Sequence, residues 1–406
     1  MTHDYDIVIA GGGLAGLTLA SALAPTGARM AVIEASPPQA DKPPSFDDRA
    51  IALAHGSRLI FEGIGLWEAI APAATPIRKI HVSERGKFGF THLDASEEQV
   101  PALGYVTLAR NLGQVLLEHF RATGIDFFCP ALLVDLDNGN EGVTLTIDAE
   151  DGVSKLTTKL LVAADGGQSQ IRDRLGIKVR RWDYDHTAIV SNLLPGKPHA
   201  NIAYERFTTD GPLALLPMTE NRFGVVLTVP TAQRDEILGL DDSDFISLLQ
   251  ERFGYRCGRF TRVGHRSAYP LALITARESV RQRVALLGNA AHTLHPISGQ
   301  GFNLGLRDIA VLADVVADAI KRGFDPGEET ILNAYASQRQ SDQRNMALAT
   351  DALARLFSNP LSVVSTGRNI GLIAADLLPG IRHGIARHAM GLMDAHARLS
   401  RGLSIE

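Results

Sequence analysis

Ile7-Val-Ile-Ala10-Gly11-Gly-Gly13-Leu-Ala15-Gly16 passes from a β-branched apolar run through a glycine cluster into the small-residue segment Leu14–Leu23, and Arg29–Glu34 follows as a second apolar run. Short apolar runs bounded by glycine read as buried strands, and the segment between them as a helix. A strand–helix–strand unit within about 30 residues implies a parallel sheet. Gly11 permits the tight turn, Gly13 lets the backbone approach a pyrophosphate, and Gly16 allows close packing of helix on strand. The helix N-terminus adds N–H groups and positive potential. Glu34 stands 18 residues beyond Gly16, placed to accept hydrogen bonds from a ribose. In this order the string predicts dinucleotide binding, without separating FAD from NAD.

Outward from this unit the chain runs to 406 residues, enough for two or three lobes. Ser36–Asp48 carries four prolines and no periodicity, so it reads as an irregular excursion. Leu108–Thr123 has a helical apolar stripe. Ile77–Phe90 and His186–Val229 alternate like antiparallel strands, with Ala188–Ser191, Ile202–Phe207 and Phe223–Val229 the clearest. Val284–Gly288 returns to a buried strand, Gly305–Ile320 reads as a helix, and the chain looks helical beyond about residue 340. Forty basic against 45 acidic residues, a net charge of −5, exclude an overall basic nucleic-acid binder. Cys129 and Cys257 have no Cys or His at metal-ligand spacing, so no metal site and no disulfide framework are expected, in keeping with a reducing cytoplasm. Met1–Tyr5 is short and polar, so no secretory signal is expected, and no apolar stretch is long enough for a membrane span.

Two further glycine-centred motifs carry chemistry. In Leu160-Leu-Val-Ala-Ala-Asp165-Gly166-Gly-Gln-Ser169-Gln-Ile-Arg172 an apolar strand delivers Asp-Gly to its carboxyl end before a helix. Taken alone, Asp165 reads as a helix N-cap. In Val284-Ala-Leu-Leu-Gly288-Asn289-Ala-Ala-His292-Thr-Leu-His295-Pro296-Ile-Ser-Gly299-Gln-Gly301-Phe302-Asn303 a strand ends in a polar turn, and a Pro/Gly loop runs into a helix. Backbone N–H groups at Gly301–Asn303 suit an anionic oxygen, such as the one a reduced flavin develops.

The three motifs, in this order and spacing, resemble the group A flavoprotein aromatic hydroxylases of the para-hydroxybenzoate hydroxylase fold. Asp48-Arg49-Ala-Ile-Ala-Leu, Glu205-Arg-Phe-Thr with Gly211-Pro-Leu-Ala-Leu-Leu-Pro, Arg266-Ser-Ala-Tyr-Pro-Leu-Ala-Leu and Gly367-Arg-Asn-Ile-Gly-Leu narrow the resemblance to the bacterial 2-octaprenyl-6-methoxyphenol hydroxylases of ubiquinone synthesis. It covers nearly the whole chain. It implies an α/β fold: a discontinuous Rossmann-like FAD-binding lobe (1–76, 102–180, 276–345), an inserted antiparallel β-rich substrate lobe (77–101, 181–275) and a helical C-terminal segment (346–406). It also implies FAD as cofactor, NAD(P)H and O2 as co-substrates, a C4a-hydroperoxyflavin as oxygen donor, and a polyprenylphenol as substrate. A ubiquinone-biosynthesis complex is an implied partner. Carried over, Gly11, Gly13, Ala15, Gly16 and Glu34 match the ADP-binding fingerprint, and Arg110 matches an arginine at the ribityl and phosphate region. Arg49, Pro296 and Gly301 fall at the reacting part of the flavin. Asp165, Gly166, Gly299, Phe302 and Asn303 complete the cofactor site. Asn289 stands where the wider family has an aspartate on the ribityl chain, and an amide still donates and accepts there. Leu227 replaces a tryptophan found in several relatives, a change expected to reshape the ring pocket. A hydroxylase for another ring position or another aromatic compound, and a non-catalytic flavoprotein subunit, stand as alternatives.

Other residues invite plainer readings. His292 and His295 lack a third metal ligand, His55 and His186 read as ordinary polar positions, and no Gly-x-Ser-x-Gly elbow is present. Trp67 and Trp182 cannot make the paired-tryptophan signature of flavin halogenases. At the C-terminus Arg382, Arg387, Arg398 and Arg401 interleave with Ile381, Ile385, Leu392, Met393 and Leu399. Such a basic amphipathic pattern predicts peripheral contact with the inner face of the cytoplasmic membrane.

Overall fold

The computed structural model describes residues 3–37, 49–294, 299–358, 362–393 and 396–405. The opening unit folds as a strand Tyr5–Ala10, a helix Leu14–Leu23 and a strand Met30–Ile33. Tyr5–Ala10 pairs in parallel with Met30–Ile33 on one side and with the end of Gly152–Ala163 on the other. Asp126–Phe128 and Val284–Leu286 extend this parallel sheet outward. Its inner strands are buried on both faces, so they read as unbroken apolar runs. The helix Gln300–Lys321 packs beside Leu14–Leu23 in the same core.

A second sheet of nine strands is mainly antiparallel. Its centre is Val179–Leu194, paired with Ser267–Ala276 and Arg222–Pro230, and followed by Gly211–Met218 and Ile202–Thr208. The hairpin Lys79–Glu84 and Phe90–Asp94 follows, joined in parallel to Ile202–Thr208, and the short strands Arg262–Val263 and His292–Thr293 make up the nine. A three-stranded sheet of Ala50–Ala54, Thr75–Ile77 and Gly104–Leu108 lies alongside. The long helices Glu329–Ser358 and Ser362–Leu377 and the shorter Pro379–Ala389 form the helical C-terminal portion.

Three features differ from the sequence reading. Residues 131–163 add an antiparallel hairpin to the parallel sheet, Ala131–Asn138 with Val143–Ala149 and then Gly152–Ala163. Asp242–Phe253 is a helix inside the β-rich segment. Its signals are local: Asp241 caps Asp244 N–H at 2.8 Å, and Phe245, Leu249 and Phe253 form a buried stripe. The helix expected from Gly305 starts at Gln300, because Gly299 in the left-handed region (φ 63°) opens it. Gly305 is needed for packing: a Cβ there would lie 3.4 Å from Gly288 Cα.

The chain end also behaves differently from a detachable amphipathic helix. Ala397, Leu399 and Ile405 enter the core of the nucleotide lobe, and Arg398 pairs with Asp314 at 2.6 Å and Asp318 at 2.8 Å. Arg382 pairs with Glu97 at 2.9 Å. Two of the four C-terminal arginines are thus neutralised by the protein's own acids, which corrects the expectation of a four-arginine basic face.

Candidate functional site

The carboxyl ends of the parallel strands open into a cavity of about 1350 Å³, roofed by the antiparallel sheet. Ligands of open α/β sheets bind in this crevice. Its volume exceeds the roughly 300–1,000 Å³ usual for one small ligand, so it has room for a cofactor and a substrate together.

At one end stand Gly11, Gly13, Ala15 and Glu34. Gly11 has φ +113°, and a Cβ there would lie 2.3 Å from Ala164 O, so both conformation and space demand glycine. Gly16 does not line the cavity; its missing side chain lets the helix approach, since a Cβ would sit 1.9 Å from Gly11 O. Gly13 is different. Its backbone is extended and a Cβ would meet no protein atom within 4 Å. The open space beside Gly13 faces the cavity, where a side chain would take up room that a ligand can use. Glu34 accepts from Gly12 N–H at 2.7 Å and from Ser36 N–H at 2.9 Å. A carboxylate has about four lone-pair positions, so acceptor capacity remains for a hydroxyl.

In the middle of the cavity are Arg49, Asp165, Gly166, Asn289 and the start of the Gln300–Lys321 helix. The helix Gln170–Arg174 is capped by Ser169, whose hydroxyl accepts from Arg172 N–H at 3.0 Å. The N-cap role read for Asp165 therefore falls to Ser169. Asp165 Oδ2 accepts from Ile171 N–H at 3.3 Å, while its buried Oδ1 has no partner among the described residues. Burial raises the Asp165 pKa against the lowering effect of these hydrogen bonds. An orphaned carboxylate oxygen facing a cavity fits a ligand that brings a donor. Arg49 lies with its guanidinium 4.8 Å from the Tyr269 ring centre, a cation–π contact that holds the charge at the cavity wall. No side chain caps the first turn of Gln300–Lys321, so its N–H groups at Gly301 and Phe302 give the cavity a positive end.

Asn303 accounts for all its side-chain hydrogen bonds within the protein. Its oxygen accepts from Ala54 N–H at 2.8 Å and the Ser57 hydroxyl at 2.7 Å, and its amide donates to Ala52 O and Gly299 O at 2.8 Å. Only its backbone is left for a ligand. Arg110 is exposed at the start of the helix Ala109–Arg121 and does not line the cavity. Pro296 and His295 lie outside the described residues.

Under the Asn289–Asn303 segment runs a buried charge network that sequence reading missed. His292 Nε2 meets Asp308 Oδ2 at 2.5 Å, and Asp308 Oδ1 accepts from Arg339 at 2.7 Å. Arg339 continues to Asp342 at 2.6 Å, which also binds Arg307 at 2.7 Å. His292 is thus a structural partner of an aspartate. His55 and His186 each bond a backbone carbonyl, of Ala102 and Tyr184 respectively.

The far end of the cavity is apolar, with Ile80, Val82, Leu93, Ala203, Leu216 and Val226 on the sheet. Leu353, Leu356 and Leu372 close it from the helices. Arg368 locks helix to sheet through buried Glu84 at 2.6 Å. Strand alternation turns Val226 into the cavity and Leu227 into the core on the opposite face of the sheet. Leu227 therefore does not shape the ring pocket, contrary to expectation. Glu205, on the Ile202–Thr208 strand, is the one acid that this sheet presents to the cavity among the described residues.

Residues 4–349 match the family described as FAD binding domain. The chain belongs to this family. A ubiquinone hydroxylase of Rhodospirillum rubrum is 37% identical over 98% of this chain and 93% of its own length. The 3-demethoxyubiquinol 3-hydroxylase of Escherichia coli is 31% identical over 95% of this chain and 98% of its own. Among solved structures, the p-nitrophenol 4-monooxygenase of Pseudomonas putida superposes with a TM-score of 0.80 at 19% identity, covering 98% of this chain and all of that one, a likeness of fold. The chain is an FAD-dependent aromatic hydroxylase of the ubiquinone-hydroxylase branch of this family. The FAD-binding family and the cavity agree: open space beside Gly13, an orphaned carboxylate oxygen and an uncapped helix N-terminus all suit an extended dinucleotide with both donor and anionic groups.

Proposed function

We propose that the chain hydroxylates 2-polyprenyl-6-methoxyphenol to 2-polyprenyl-6-methoxy-1,4-benzoquinol, using NAD(P)H and O2. The observation that carries this reading is a single cavity with a polar end suited to FAD and a long apolar end suited to an isoprenoid tail. Gly11, Gly13, Ala15 and Glu34 hold the ADP half; Asp165, Asn289 and the Gly299–Phe302 backbone hold the flavin half. FAD, when bound, takes electrons from NAD(P)H and activates oxygen for insertion into the ring. The protein's own part is electrostatic and steric. Arg49 and the helix N-terminus favour negative charge at the flavin, and the apolar sheet excludes water from the reacting ring.

Quinone profiling of a strain lacking this chain tests the reading. Accumulated 2-polyprenyl-6-methoxyphenol supports it, a different intermediate moves the reaction to another ring position, and unchanged ubiquinone rejects it. Asn289 gives a finer check. Replacing it with leucine is expected to weaken FAD binding by about 1–3 kcal/mol, the cost of one lost hydrogen bond and an unpaired partner, while Asn289→Asp retains FAD. Equal flavin affinity in wild type and Asn289→Leu removes Asn289 from the site.

Peripheral membrane contact belongs to the same reading, with a changed basis. No helix among the described residues is long and apolar enough to cross a membrane. Ile370 and Leu377 are 62% and 71% exposed, Leu378, Ile381 and Ile385 are exposed as well, and Ile385 also lines the cavity. Burial of such side chains, more than arginine charge, supplies the attraction. Truncation near residue 380 would remove Ala397, Leu399 and Ile405 from the core, so point variants are the proper probe. The pair Leu377→Glu and Ile381→Glu is expected to lower liposome binding roughly tenfold or more with flavin content unchanged. Equal pelleting of variant and wild type would assign substrate delivery to a carrier protein instead.

A further inference from the structure

Strand register brings together a row of side chains that no sequence spacing reveals. Val82 pairs with Glu205, Glu205 with Ala214, and Ala214 with Val226 across four neighbouring strands. All four line the cavity. Three are small and apolar; the fourth is a carboxylate with no hydrogen-bond or ion-pair partner among the described residues. A half-buried carboxylate in such a row gains from a polar group that meets it inside the cavity, and a bound ligand's hydroxyl can supply one.

Resting on the phenol reading above, we propose that Glu205 is the catalytic base that accepts the hydroxyl proton of the bound phenol. As one atom of the activated oxygen bonds to the ring carbon, the O–O bond breaks and leaves its electron pair on the second oxygen, while the phenol O–H bond breaks, its electron pair moves toward the ring, and the proton passes to the Glu205 carboxylate. The ring regains aromaticity by releasing the C–H proton of the newly oxygenated carbon to the second oxygen atom, which leaves as water, and Glu205 returns its proton to the original oxygen. The carboxylate is thereby regenerated and no further oxidant is consumed.

The surroundings favour this role. Glu205 is half-buried on the cavity wall, and its withdrawal from bulk water pushes its pKa up to about 7, with no neighbouring charge contributing. A base is most effective when its pKa lies near the working pH. The charged groups around it are otherwise engaged or across the cavity. Glu84, on the adjoining strand, is held by Arg368 and Asn369. Arg206, next in sequence, turns away to donate to Arg252 O. Gly211–Met218 carries no titratable side chain, and Arg222–Pro230 carries only Arg222 at its outer end, bound to Glu220. The other titratable groups lining the cavity are Glu34, Arg49, Tyr204, Asp165, Arg368 and His388.

The test uses FAD-loaded full-length protein with 2-farnesyl-6-methoxyphenol and its O-methyl ether. In wild type, binding of the phenol is expected to tighten roughly tenfold as pH rises through about 7, because an ionised acceptor forms the stronger hydrogen bond. The ether, which cannot donate, shows no such change. Product formed per NAD(P)H consumed rises over the same range. Glu205→Gln keeps flavin but loses both pH steps, with product yield down about a hundredfold and recovering only toward the phenol's own pKa of about 10. Glu205→Asp restores part of the yield together with a pH step. A Glu205→Gln enzyme with the wild-type profile, or identical pH responses of phenol and ether, overturns the assignment. If wild type makes no product from the phenol, the functional reading fails first; the paired binding curves still decide whether Glu205 meets a phenol hydroxyl.

Discussion

Gly13→Val is expected to give a folded, colourless protein. The Gly13 backbone is extended, φ −73° and ψ −174°, a conformation valine adopts readily. Its Cβ would meet no protein atom within 4 Å. Neither strain nor clash penalises the fold, so the unfolding free energy should stay within about 0.5 kcal/mol of that of FAD-free wild type, as for a benign surface change. The added methyl groups instead occupy the space where the pyrophosphate approaches the backbone, at the N-terminus of Leu14–Leu23. Visible absorbance and flavin released on denaturation measure the outcome. Full flavin in Gly13→Val would show that the cofactor lies elsewhere. Gly16→Ala provides the contrast: its Cβ would fall 1.9 Å from Gly11 O, so this variant loses stability first and flavin as a consequence.

Asp308→Ala is expected to cost about 3–5 kcal/mol of stability, the usual effect of removing one member of a buried ion pair. Asp308 has no exposed surface and Arg339 is 1% exposed. Two aspartates and two arginines balance in this network. Without Asp308, the Arg307 and Arg339 guanidinium groups share only Asp342 in a region water does not reach. Denaturant unfolding gives the loss, and a change under about 1 kcal/mol would mean the network contributes little. Burial by itself would raise the Asp308 pKa, but His292 and Arg339 outweigh it and hold the carboxyl well below its ordinary 3.8. A carboxyl lowered in the folded state contributes stability that is present above the unfolded value and lost as pH falls through the folded one. Wild type should therefore shed this contribution only below about pH 4, and Asp308→Asn should flatten the pH dependence in that range.

Much of the cofactor end was legible from local pattern. Gly11 and Gly13 sit between a strand and a helix, and Gly16 in the first turn of that helix, in the order the string implies, because each role depends on the residues within one turn. Glu34 was legible for the same reason, at the end of the next strand. Other roles needed atoms from elsewhere. Asp165 reads alone as a cap, and only the position of Ser169 shows that the capping role is taken. Asn303 reads as a ligand contact, yet Ala52, Ala54 and Ser57 use its entire amide. The C-terminal arginines read as a basic face until Glu97, Asp314 and Asp318 are seen beside two of them.

What the sequence by itself determined is the parallel nucleotide-binding unit, the family resemblance and the place of the glycines. These rest on chain conformation and short-range periodicity, which a local window contains. The tertiary structure alone decided which residues meet across the cavity. It put Glu205 beside Val82 and Ala214, turned Leu227 away while Val226 faces in, and joined His292 to Asp308, Arg339 and Asp342. Strand register and the pairing of buried charges are settled by burial of whole faces and by satisfaction of groups far apart along the chain. No single stretch of sequence holds both partners of such contacts.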